Sequence, residues 1–143
     1  MPGKSDALEN DFLKLIYNGT AIANIADNAA TSPLTNLFVT LHSADPGDTG
    51  TQSSSEVTYT GYARATVART TGGFTVTGNS VSPTATITFG ACTAGTVTAT
   101  HASVGVAVSG ATKILHSGAL TPNIAIAPGV TPQITTASTI TED

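Results

Sequence analysis

The chain has no tryptophan, one cysteine, one methionine and only five basic side chains in 143 residues. A lone Cys92 forms no intrachain disulfide, and no thiolate-activating cluster surrounds it in sequence. Lys4, Lys14, Arg64, Arg69 and Lys113 are scattered, and the net charge is −4. Nucleic-acid binding needs clustered cations to displace counterions, so this balance argues against it. No apolar run approaches the ~20 residues of a membrane span. The opening MPGKSDALEND lacks the apolar core of a secretion signal, which predicts synthesis in the cytoplasm. Charged residues make up 10% of the chain, against about 25% in an ordinary soluble domain. Such a surface suggests a protein that meets other protein, as an oligomer or a lattice component.

Threonine is the commonest residue, with Ala, Gly and Ser behind it. Its branched β-carbon suits a pleated strand while its hydroxyl faces water. The composition therefore predicts an all-β domain coated with hydroxyls. The length allows one core without covalent staples.

The first 33 residues differ from the rest. Leu8, Phe12, Leu15 and Ile16 recur at helical spacing and predict one apolar stripe. Ser5 is placed to cap the helix, Asp6 and Glu9 fall in the first turn, and Asn18-Gly19 can stop it. Residues 1–33 thus read as a helix with an Ala-rich connector, either an arm on a neighbour or a cover for its own sheet. From residue 34 to 143 the period is two. Leu37, Val39 and Leu41 share a face, as do Ala63, Ala65 and Val67. Phe74 with Val76, Ala85 with Ile87 and Phe89, Val97 with Ala99, and Val104 with Val106 and Val108 follow. Ile114-Leu115, Ile124 with Ile126, Ile134 and Ile140 predict short later strands. Seven or eight strands punctuated by Gly, Pro and Asn predict a jelly-roll-like antiparallel β-sandwich preceded by an N-terminal α-helix. The polar tail TASTITED reads as frayed or as an addition to an edge strand.

The stretch LHSADPGDTGTQSSSEVTYTGYAR, residues 41–64, concentrates the chemistry-bearing side chains. His42, Ser43 and Asp45 lie too close together for a hydrolytic relay, and no Gly-x-Ser-x-Gly elbow occurs. Asp45 and Asp48 are too few for calcium, which takes six to eight oxygens. His42, His101 and His116 lack the short paired spacing of metal ligands. Glu56 with Asp45 or Asp48 could formally make a glycosidase pair, without further support. No phosphate-binding Gly-rich loop is present. Asp45-Pro46-Gly47 carries turn chemistry, and TQSSS reads as a flexible loop of small polar residues. No catalytic, metal or cofactor site is expected, and the chain is not expected to be an enzyme.

The same run resembles a segment of small virion proteins of tailed bacteriophages, with an LH-x-ADPG turn, a polar loop, then E-x-x-Y-x-GYAR and a Val-rich strand. That family is often labelled tail fibre-like, and it is similar to the jelly-roll cement (decoration) proteins of phage capsids. The resemblance is strong over Leu37 to Val67 and weaker through Val108 and Ala119–Ile126. It implies a structural part on the outer capsid surface that binds the major capsid protein and itself, as homodimer or homotrimer, and stabilises the shell against packaged DNA. The alternative is a tail-associated structural or receptor-binding domain. The expected contact surfaces are Phe12, Leu15 and Ile16 on the helix, and Asp45, Asp48 and Glu56 in the polar loop.

Overall fold

A computed structural model describes residues 4–22, 25–26 and 33–142. Its elements in chain order are α1 (Asp6–Asn18), β1 (Asn36–His42), β2 (Ala65–Ala68), β3 (Phe74–Thr77), β4 (Ser80–Pro83), β5 (Ile87–Thr88), β6 (Val97–Gly105), β7 (Ile114–Ile126), β8 (Gln133–Ile134) and β9 (Ile140–Thr141). The expected all-β class, a sandwich of antiparallel sheets preceded by one helix, is what the molecule shows. No described helix is long and apolar enough to cross a membrane.

The chain groups into two compact units that follow contacts rather than chain order. The first contains Met1–Asn36, Val67–Thr86 and Thr135–Asp143. Here α1 lies on β3 and β4 of the sheet ordered β3-β4-β9. Ser5 Oγ accepts the Leu8 N–H, as its capping role requires, and Gly19 ends the helix at φ 64° with its N–H on the Lys14 carbonyl. The buried line of the helix is Glu9, Leu13 and Tyr17, spaced four apart. Phe12, Leu15 and Ile16 are half-buried, so the expected stripe is displaced by about one position. The reason is Tyr17: its ring packs edge-on against Phe74 with centroids 4.9 Å apart, and this large aromatic anchors the face that meets the sheet.

No basic residue occupies the last turn of α1, where a cation would favour the exposed carbonyls. Arg69, just past β2, supplies one instead. Its Nε donates to Ile16 O at 2.6 Å, another nitrogen donates to Leu15 O, and Nη1 reaches Leu34 O at 3.1 Å. Burial lowers its pKa from the ordinary guanidinium value. The polar tail adds to an edge of the sheet. Ile140 and Thr141 pair with Val81 and Ser80, and Glu142 meets Lys4 in an ion pair.

The second unit contains Leu37–Thr66 and Ile87–Ile134. Its larger sheet has the order β2-β1-β6-β7, to which β2 contributes Ala65 and Thr66; its smaller sheet is β5-β8. Leu37, Val39 and Leu41 are buried as their alternation predicts, with Val57, Tyr59, Phe89, Ala99, Val104 and Ile126. In β6 the alternation breaks. Ala99 faces Ile124 and His101 faces Ala119, so Leu120–Asn123 of β7 bulge opposite Thr100 alone. Further along, Ser103, Val104 and Gly105 are buried in succession, at the second register shift between Val104 and Gly105. β7 is one 13-residue strand, not the two short strands expected. Pro122 is accommodated in it because β7 is an edge strand with a partner on one side only.

Candidate functional site

Residues 41–64 belong to the second unit and form a strap, not a flexible loop. At one end Val57 N bonds Leu41 O at 3.0 Å and Ser43 N bonds Ser55 O at 2.8 Å. At the other, Gln52 N bonds Thr112 O at 2.8 Å, and Thr51 bridges Lys113. The strap thus runs from the end of β1 to the approach of β7. Ser55 holds φ 51° in it, a left-handed conformation that side chains other than glycine disfavour.

Gln52 fixes the strap from beneath and is fully buried. Its Nε2 donates to Thr40 Oγ1 at 3.0 Å and to Phe38 O at 3.4 Å. Its Oε1 accepts from Val106 N at 3.0 Å, Ala107 N at 3.1 Å and Thr112 Oγ1 at 2.7 Å. A buried amide this well satisfied holds a loop, because every displaced bond would leave a desolvated polar group. A Cβ at Gly105 would overlap the Gln52 side chain, so the glycine makes the room.

His42, at the end of β1, is also fully buried. Its Nδ1 lies 2.7 Å from Ser54 O and its Nε2 2.7 Å from Ser103 Oγ. A carbonyl only accepts, so Nδ1 carries the proton and the neutral ring accepts from Ser103 at Nε2. Burial pushes the His42 pKa below its ordinary value, partly opposed by the Ser54 carbonyl and Glu56.

Arg64 and Glu56 close the strap. Arg64 Nε and Nη2 grip the two Glu56 oxygens at 2.8 and 2.7 Å. Nη1 donates to Ala107 O at 3.0 Å, and Nη2 to Gly110 O at 2.9 Å and Ser53 Oγ at 3.2 Å. The bond to Glu56 raises the Arg64 pKa. Tyr62 adds a third bond to the carboxylate, donating to Glu56 Oε1 at 3.1 Å while accepting Leu41 N–H at 3.2 Å. Burial raises its pKa well above the ordinary phenol value.

Chemically, this arrangement has little to offer a substrate. His42 has both nitrogens engaged inside the protein, and Glu56 has both oxygens bound by Arg64 and Tyr62. The expected contact residues fall on two separate stretches, as their two proposed surfaces require. Phe12, Leu15 and Ile16 lie in the first unit; Asp45 and Asp48 are exposed in the second, and Glu56 is half-buried in the clamp. Asp45 Oδ1 accepts Gly47 N–H at 2.9 Å, a local turn bond. Asp48 lies on an open depression of ≈340 Å³ with Gly47, Gly50 and the Ile114–Ser117 segment. Among the described residues no three His, Cys, Asp or Glu side chains gather as a metal-ligand set. Sequence reasoning missed Gln52, Ser103 and Thr112; the one clue is Gly105 inside a Val-rich strand, where a glycine marks a close approach.

The three tyrosines are structural. Tyr17 is buried on the sheet-facing side of α1, Tyr59 OH bonds Gly90 O at 2.9 Å, and Tyr59 and Tyr62 pack edge-on with centroids 5.3 Å apart. The model of the family described as podophage GP4 fiber I protein gp80 matches residues 3–141. No curated protein matches the chain.

Proposed function

Because the chain belongs to the podophage GP4 fiber I protein gp80 family, and is a structural protein of the phage virion, we propose that it serves as a non-enzymatic fibre component of the phage tail. The observation that carries this reading is a family match that spans nearly the whole chain. The strap supports it physically: the side chains able to do chemistry bond to one another and leave a rigid platform beneath the Asp45–Gly50 turn. A receptor role for the same surface is weaker. Saccharide sites set aromatic faces beside polar groups, and here Tyr17 and Tyr59 are buried while Tyr62 is held by Glu56 and Leu41.

Capsid cement is the second reading. It draws on the resemblance of Leu37–Val67 to phage decoration proteins and on the scarcity of charge. The partner would then be the major capsid protein, met by Phe12, Leu15 and Ile16 or by Asp45 and Asp48; Glu56 leaves that set because Arg64 neutralises it. Quantitative staining of purified virions, with gold-labelled antibody to locate the protein, separates the two. Tens of copies on the tail support the fibre reading. Hundreds over the head replace it with cement. Turnover of any substrate by the purified chain would remove both.

A further inference from the structure

We propose that Asn18 is a site of spontaneous covalent modification, deamidation to isoaspartate, and that docking of α1 on its sheet holds the reaction off. Asn18-Gly19 is the single Asn-Gly pair in the sequence. A glycine after asparagine leaves the next backbone nitrogen unshielded, because no Cβ stands beside it. In an open chain that nitrogen attacks Asn18 Cγ. The new N–C bond closes a succinimide ring, and the side-chain nitrogen leaves as ammonia with the proton the backbone gave up. Water then opens the ring at either carbonyl, to aspartate or to isoaspartate. Water is the one co-reactant.

The folded chain opposes that attack in three ways. Asn18 is the last residue of α1, and helical backbone angles turn the Gly19 nitrogen away from the Asn18 Cγ. The leaving nitrogen, Nδ2, donates to Phe74 O at 3.0 Å, which fixes the side chain against β3. The attacking nitrogen is engaged as well, since the Gly19 N–H is bonded to Lys14 O. Arg69 secures the same turn through the Leu15 and Ile16 carbonyls. The reaction therefore waits for the last turn of α1 to open, and such local openings cost less than global unfolding.

The product cannot rebuild what it replaces. β3 is a terminal strand of its sheet, and Asn18 supplies a donor to its Phe74 carbonyl. An ionised carboxylate only accepts hydrogen bonds, so that bond is lost. The new charge is an anion at the helix C-terminus, where the dipole favours cations. Isoaspartate also lengthens the main chain by a methylene at the point where Gly19 turns it. A copy that has reacted thus keeps α1 less firmly docked, and the change is one-way. It stands apart from the fibre reading, since it holds wherever the protein sits on the virion.

The test incubates the full chain, native and urea-unfolded, in mildly alkaline buffer. Mass spectrometry of the peptide holding Asn18 follows the change from amide to acid, and isoaspartyl methyltransferase labelling reports the isomer. The unfolded chain should convert at Asn18 well ahead of Asn123, whose neighbour Ile124 shields its nitrogen with a branched side chain. The native chain should convert at Asn18 at least about tenfold more slowly, because only copies with the turn open react. Independently, Asn18→Asp, which mimics one product, should accelerate hydrogen exchange in the last turn of α1 more than in β6. Absence of conversion in the unfolded chain, equal rates in the native and unfolded chains, or unchanged exchange in Asn18→Asp overturns the proposal.

Discussion

Gln52 ties the strap down at several points, since one amide joins β1, the strap and the 106–112 turn. Gln52→Ala should lower the stability of the second unit by about 3 kcal/mol, the sum of a cavity and stranded backbone donors. Chemical denaturation followed by the midpoint measures it. Gly105→Ala should be similarly costly alone, yet cost much less when combined with Gln52→Ala, because truncating the amide frees the space that the new methyl needs. Equal costs in both backgrounds would show that the two residues do not compete for that space. His42 makes a separate statement. Its folded-state pKa lies below the unfolded one, so its stabilisation is complete above about pH 6.5 and is lost as pH falls through the folded value. Thermal melts between pH 5.5 and 7.5 should decline on the acid side, and His42→Gln should flatten that decline. The sequence revealed neither residue's role. A glutamine among serines and a histidine ending a strand are chemically indistinguishable from solvated ones until the strap places them over Gly105 and Ser103.

At the scale of elements, legibility followed local determinants. The helix ends were written in Ser5 and Gly19, because capping depends on residues within one turn. The alternation of β1 was equally plain, since its residues Leu37–Leu41 see one continuous core. The failures came where distant pairing sets the geometry. The consecutive burial of Ser103–Gly105 in β6 accompanies a register shift against β7, where Leu115 is the extra residue, and no window of β6 contains it. β7 itself was divided in two by Gly118 and Pro122, local break signals that an edge strand tolerates. The buried line of α1 was displaced because Phe74 lies 56 residues beyond Asn18, whose side chain bonds its carbonyl. Arg69→Ala should test the long-range cap on this helix: losing the bonds to Leu15 and Ile16 should destabilise the first unit by about 1–2 kcal/mol. Hydrogen exchange at the end of α1 should accelerate, and unchanged protection would show the cap to be dispensable.

For the whole molecule, the notable quantity is how little of its cohesion is ionic. Fourteen charged side chains serve 143 residues, and among the described residues ion pairs join Lys4 to Glu142 and the largely enclosed Arg64 to Glu56. Salt screens exposed pairs far more than enclosed ones, so raising NaCl from low to molar concentration should move the melting temperature by no more than about 3 °C. A larger fall would reveal charge interactions beyond these two. The Asp45–Gly50 turn carries a practical consequence. It lies between the anchored His42 and Gln52, and Asp48 and Thr49 within it are exposed. A foreign peptide spliced between those two would be carried outward on a stiff mount, with Gly50 retained because a side chain there would strike the Pro46 carbonyl. The chain is in that respect a ready scaffold for antigen display.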